Sequence, residues 1–403
     1  MTIHRHAHLR KNLWQIILSA RYPRPLVIAG WTAFFGYSSF NLLLAALPLY
    51  YTQTLGYSIE QVGALVGIGF LLDFVAYLLV GSFADRFGSA RYILWSAAAL
   101  ALTAPLFALS HTLWFLIGIV LVRGFIMSTF ALLLNALAGT LISSEQRGAH
   151  MGFYGLFSNI ASALAPAVGV FVFKMAGPPA LFLCALVSGL LAVILSSLLY
   201  KERSGSISSQ FSLSLWTWLS GSRRLLVPTC AMIAMGLAYG VVLAFMPNLL
   251  VGRGIQNPGL FYTAEVVPQL LLRTVAGKLS DRYGRAVVSG IGLFLMGVSI
   301  FAIIFVHNDV ETILAGLIAG AGWAATGPVI IAWMLDLTGA NQRGLASATY
   351  FAAQDIGRIL GSLVLGYTVL SLGAAAPFTI ASALTVAVAC VLLILALAQR
   401  RHK

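Results

Sequence analysis

Residues 81–88 read Gly81-Ser-Phe-Ala-Asp85-Arg86-Phe-Gly88, and residues 277–284 read Gly277-Lys-Leu-Ser-Asp281-Arg282-Tyr-Gly284. Each copy has a glycine, three intervening residues, Asp-Arg, an aromatic residue and a second glycine. The copies lie 196 positions apart in a chain of 403 residues, close to half its length. The tripeptide Gln-Arg-Gly repeats at the same offset, at Gln146-Arg147-Gly148 and Gln342-Arg343-Gly344. Two independent matches at one offset indicate an internal duplication, and hence two similar halves about a pseudo-symmetry axis.

Working outward, each copy is flanked by apolar sequence. Hydrophobic residues make up 60% of the chain and charged residues 9%, against about 25% charged in a soluble domain. So little polar surface cannot cover a water-soluble globule, so lipid must solvate most of the chain. Stretches long enough to span a bilayer as helices lie near 26–50, 59–82, 91–110, 112–138, 149–173, 178–200, 225–250, 258–280, 286–306, 310–336, 345–372 and 376–398. The expected fold is an all-α membrane protein of twelve transmembrane helices in two pseudo-symmetric six-helix bundles. The expected bundles are 1–200 and 225–403, joined by a cytoplasmic linker at 201–224. That linker is rich in serine and basic residues; Trp216 and Trp218 place it either as a short interfacial amphipathic helix or as a solvated connection.

The formal net charge of +13 suggests a nucleic-acid partner, but its distribution argues against one. Lys and Arg crowd the tails, the linker and the loops holding the repeated motifs. Only Lys174 and Arg253 fall on the opposite side, and Arg123, Arg273 and Arg358 fall inside spans. This pattern places both termini in the cytoplasm and the protein in a bacterial or archaeal cytoplasmic (inner) membrane. Cys184, Cys230 and Cys390 all lie in apolar spans with no metal-ligand spacing. The N-terminal basic stretch runs into a span too long for a cleaved signal. Neither a metal nor a cofactor is expected.

With two halves, a central cytoplasmic loop and Gly-x-x-x-Asp-Arg-x-Gly after spans two and eight, the whole chain resembles the major facilitator superfamily of secondary transporters. It looks most like the branch of drug and metabolite efflux proteins with proton antiport. The fourth-span motif of that branch keeps Arg123, but Met127 replaces its glycine. The fifth-span motif keeps Pro166 and Gly169, while Ala161 and Ala165 replace glycines. The resemblance implies a cytoplasmic latch, with Asp85 facing the start of span eleven and Asp281 the start of span five. A carboxylate is favoured at a helix N-terminus. The other reading is a turn that anchors its loop by charge alone.

Only three acids fall well inside spans: Asp73, Glu265 and Asp355. A charge at mid-membrane costs at least ~2.5–3.5 kcal/mol on insertion scales, so each is a candidate site. Glu265, Gln269 and Arg273 follow i, i+4, i+8 and share one helix face, on a helix that Pro268 is expected to interrupt. Asp355 and Arg358, spaced i, i+3, form either a fixed ion pair or a coupling site. Arg123 is a candidate counter-charge for Asp73. As proton carrier, Glu265 ranks first, Asp73 second and Asp355 third. Candidate substrate contacts are Phe34, Tyr37 and Asn41 on span one, Tyr239 and Phe245 on span seven, Gln269 on span eight, Trp323 on span ten, and Tyr350 and Gln354 on span eleven.

The expected function is proton-coupled export of a small organic molecule by alternating access. Its partners are a small-molecule substrate, protons and the lipid bilayer, acting as a monomer without nucleic acid. Uptake of a small organic anion with protons is the alternative. No Walker motif, nucleophile–base pair or metal cluster points to an enzyme.

Overall fold

The computed structural model describes residues 22–73, 75–76, 89–110, 112–141, 147–200, 225–338 and 343–401. Gly81, Asp85, Arg86 and Gly88 of the first motif, the 201–224 segment and the extreme tails lie outside them. The elements are α1 (Arg24–Leu44), α2 (Ala46–Gln53), α3 (Ile59–Gly69), α4 (Ser89–Leu106), α5 (Leu113–Thr140) and α6 (Arg147–Leu198), then α7 (Leu226–Gly252), α8 (Leu260–Tyr283), α9 (Arg285–Ile303), α10 (Asp309–Leu337), α11 (Arg343–Ile359) and α12 (Ala376–Arg401). No strand occurs among the described residues. Nine helices there are long and apolar enough to cross a membrane, with α1 and α2 counted as one. The helices lie where the apolar stretches predict them.

Local chemistry sets the ends. Ser58 and Gln61 form a reciprocal capping box at the start of α3, and the Asn308 side chain accepts from the Glu311 N–H at 2.9 Å to cap α10. Within α6, Gly177 has φ +79° and is followed by Pro178 and Pro179, so the chain doubles back there. Pro48 has no N–H to give to the carbonyl four residues earlier, and the helix is interrupted at Ala45 between α1 and α2. Pro268 behaves otherwise: α8 runs through it without interruption, contrary to the sequence expectation. The other irregularities fall at Phe70, where α3 turns before helix resumes at 71, and after α11, which continues as a π-helical turn (Leu360–Val364).

Small residues let the helices pack closely. A methyl group on Gly169 of α6 would meet the backbone of Leu42 on α1, and one on Gly320 of α10 would meet that of Glu265 on α8. The outward surface is apolar, with Trp95, Trp114, Phe171 and Leu370 exposed where lipid covers them.

Among the described residues, the hydrogen bonds between 22–200 and 225–401 gather at one end of the helices. There Thr52 Oγ1 donates to Asn248 Oδ1 at 2.7 Å, and Asn248 Nδ2 donates to the Pro48 carbonyl at 3.2 Å. Thr263 donates to the Ala163 carbonyl at 2.5 Å, Asn257 to Ala167 at 3.1 Å, and Lys174 to Ile255 at 3.5 Å. Gly63 and Gly67 of α3 lie against Ser362 and Leu363. Toward the other end a cavity of about 800 Å³ separates the halves, lined by residues of α5 and α6 on one side and of α8, α10 and α11 on the other. Those helix ends carry Tyr22, Leu199, Leu225 and Tyr283, so the opening faces the end at which those residues lie.

Candidate functional site

The site is assembled around α8. Asn257 Oδ1 accepts from the Gly259 N–H at 3.0 Å in the turn that precedes the helix. Gly316 and Gly320 let α10 lie directly against Phe261 and Glu265, which fixes the height of the Glu265 side chain. Glu265 is 2% exposed. Its Oε1 accepts from Gln269 Nε2 at 3.0 Å, and its Oε2 accepts from the Tyr239 hydroxyl of α7 at 3.5 Å. The Tyr239 ring lies 5.6 Å from that of Trp323. The predicted stripe therefore exists: Glu265 is buried, Gln269 half-buried and Arg273 exposed at the larger cavity.

Glu265 and Gln269 line an inner cavity of about 350 Å³ with Tyr37, Asn41, Tyr239, Trp323 and Arg358. Gln269, Trp323 and Asn159 belong to its wall and to that of the 800 Å³ cavity, so the two spaces adjoin. The wall is mixed: aromatic faces alternate with amides, one carboxylate and one guanidinium. Such a surface suits a molecule with an apolar body and a few polar groups. Tyr350 lines the larger cavity beside Arg273.

Several expected residues lie elsewhere. Phe34 packs against the Trp31 and Phe35 rings at 5.5 and 5.1 Å and lines neither cavity. Gln354 is buried, with its backbone against Gly236 of α7. Phe245 is buried beside Gly63 at the closed end. Conversely, Asn159 and Ser162 of α6 belong to the inner wall, and Ser162 Oγ accepts from Asn41 Nδ2 at 3.1 Å. Their i, i+3 spacing in an apolar span is the sequence signal that marks them.

Arg123 is not the counter-charge of Asp73. It is 3% exposed and gives its protons to the Ser39 carbonyl at 2.6 Å, the Leu100 carbonyl at 3.1 Å and Thr103 Oγ1 at 2.7 Å. It thereby ties α1, α4 and α5 together, with its guanidinium 5.5 Å from the Phe40 ring centre. Asp73 and Arg123 do share the wall of a separate apolar cavity of about 80 Å³. Arg358 pairs with Asp355 at 3.0 Å.

In the second motif, the Ser280 hydroxyl donates to the Gly277 carbonyl at 2.7 Å, and Gly284 adopts φ +99° between α8 and α9. Asp281 is partnered within its own half. Its side chain is 66% exposed and pairs with Arg285 at 2.7 Å; Arg285 also reaches Asp336 at 3.0 Å. The pairing closes within the second half. Arg282 lies over the adjacent Tyr283 ring at 5.4 Å.

Comparison with known proteins agrees with this geometry. A family profile described as Major Facilitator Superfamily matches residues 28–264 and 229–403. An uncharacterized MFS-type transporter of Salmonella typhimurium is 24% identical over 358 residues, covering 85% of this chain and 91% of the relative. A Lactococcus lactis homolog of the multi-drug resistance efflux pump PmrA is 24% identical over 361 residues, covering 86% and 88%. Among solved structures, the nucleoside transporter NupG superposes with a TM-score of 0.75 at 14% identity, covering 94% of this chain and 100% of that one.

Proposed function

Because this chain belongs to the Major Facilitator Superfamily, and is therefore a multi-pass membrane transporter rather than an enzyme, we propose that it exports a small organic molecule across the cytoplasmic membrane in exchange for protons. Twelve crossings form two six-helix bundles, 1–200 and 225–403, that rock about the cavity between them. The positive-inside pattern sets both termini in the cytoplasm, so the described conformation is open to the cytoplasm and closed outside. In this reading the protein works as a monomer, with the substrate path between its own two halves.

One observation carries the reading. Glu265 is a buried carboxylate on the wall of a mixed aromatic and polar cavity between the halves. An acid in that position meets water from one side at a time as the halves rock, which is the requirement for linking a proton to a conformational cycle. The kinship with an efflux pump homolog supports export. Asp281 and Arg282, with Asp85 and Arg86, form the latch that engages when the cytoplasmic end closes.

Reconstituted vesicles with an imposed pH gradient test this, using a panel of fluorescent cationic amphiphiles. Wild-type protein accumulates at least one of them against its gradient. Glu265→Gln abolishes accumulation and retains downhill flux. Full accumulation by the variant removes Glu265 from the mechanism. The exposure of Arg273 at the larger cavity supports the alternative, proton-coupled uptake of an organic anion; accumulation of carboxylates but not of amphiphilic cations selects it.

A further inference from the structure

The mechanism above leaves one buried cluster unused. Asp355 of α11 is 2% exposed. Its Oδ1 accepts from Arg358, while its Oδ2 is buried with no hydrogen-bond partner among the described residues. Asp73, in the first half, likewise has a buried Oδ1 without one. Phe70, one helical turn before Asp73, lies 5.1 Å beneath the Arg358 guanidinium, and Tyr239 lies 5.8 Å from it. Arg358 thus touches the segment of the opposite half that carries Asp73, and both acids lie within its electrostatic reach.

The backbone is irregular on both sides of this meeting point. The first-half helix turns at Phe70, and the π-helical turn Leu360–Val364 follows Arg358 directly. Such π turns recur at functional sites. Between them, Gly63 and Gly67 lie against Ser362 and Leu363. The cluster therefore sits beside the crossing of two helices from different halves.

We propose that Asp73, Asp355 and Arg358 form a second proton-binding site, separate from Glu265, in which one guanidinium serves two carboxylates across the interface between the halves. This deepens the proton-coupled reading and rests on it. Two carboxylates and one guanidinium leave a net charge of −1. Neighbouring cations do not cancel it: Arg123 is held by Ser39, Leu100 and Thr103, and Arg273 lies at the larger cavity with Tyr350. Glu265, on the far side of Tyr239, supplies no compensating cation. An uncompensated charge in a span is costly. One proton from water on a carboxylate oxygen makes the cluster neutral, and the new O–H supplies a donor. Its loss restores −1 and sets two carboxylates against each other across the interface. Deprotonation therefore disfavours the described conformation and drives the halves toward the opposite one.

The test needs no substrate. Spin labels at Thr140→Cys and Leu337→Cys, at the ends of α5 and α10, report the width of the opening. Cys184, Cys230 and Cys390 are first replaced by serine, and the protein is reconstituted in lipid vesicles. Raising the pH from about 5 to about 9 shifts the ratio of short to long distances in the wild type by about tenfold in favour of short. Asp73→Asn and Asp355→Asn each leave a neutral ion pair, so both remain folded and both lose the response. If both aspartate variants respond as the wild type does, the cluster proposal is overturned. If they respond and Glu265→Gln alone does not, it is overturned while proton coupling through Glu265 stands. If the wild type itself shows no response, both the cluster and the proton-coupled reading fall.

Discussion

Thr52 and Asn248 are 196 residues apart, the same offset as the repeated motifs, so they are equivalent positions of the two halves meeting across the pseudo-symmetry axis. Their hydrogen bond at 2.7 Å, and that from Asn248 to the Pro48 carbonyl at 3.2 Å, link the halves at the closed end, which is the outer end in the proposed orientation. Asn248→Leu removes both. Thr52 then falls back on the Pro48 and Leu49 carbonyls of its own helix, each already at 3.2 Å, so its hydroxyl is not stranded. The loss is two net hydrogen bonds at about 1 kcal/mol each, or about 2 kcal/mol favouring the outward-open state. That is a factor of about 30 in the conformer ratio. Thr52→Val removes only the first bond and shifts the ratio about fivefold. The assay is alkylation of Leu243→Cys by a membrane-impermeant maleimide added outside intact cells, in the cysteine-replaced background. Leu243 is buried behind the closed end and lines the inner cavity, so external reagent reaches it only when the outer end opens. The alkylation rate rises in the order parent, Thr52→Val, Asn248→Leu. Rates for Asn248→Leu within about twofold of the parent would show that these bonds do not hold the end shut.

Three further outcomes are expected. Arg123→Leu removes the hydrogen bonds by which α5 holds α1 and α4 and destabilises the protein by about 2–4 kcal/mol; a thermal unfolding midpoint in detergent equal to wild type contradicts this bracing role. Gly169→Ala drives a methyl group into the Leu42 backbone and costs about 1–3 kcal/mol, measured as lowered thermal stability, whereas Gly155→Ala, with open space around it, changes nothing. Arg253 gives protons to the Ile303 and Val306 carbonyls at the closed end, so Arg253→Cys is labelled by impermeant reagent from outside the cell; labelling only from the cytoplasm reverses the assigned orientation.

Some of this architecture follows from the chain alone, because hydropathy and helical spacing are properties of consecutive residues. A charged fraction of 9% requires lipid as solvent, and lipid requires helices whose backbone groups bond internally. The shared face of Glu265, Gln269 and Arg273 and the contact of Asp355 with Arg358 need only i+3 and i+4 geometry. The matching offsets of the motifs predict the equivalence that Thr52 and Asn248 display.

Tertiary structure alone decided which helix faces touch. In lipid, apolar faces are nearly interchangeable, so neighbours are chosen by close fit at small residues, a pairwise property that no single span encodes. Arg123 thus finds its acceptors on α1 and α4 rather than on the acid at Asp73. Pro268 leaves α8 intact while the break falls at Ala45, although the two prolines read alike in sequence. Asp281 turns to Arg285, one helical turn away across Gly284. Which end closes depends on a balance between two packings of the same residues, so it belongs to the conformation and not to the sequence.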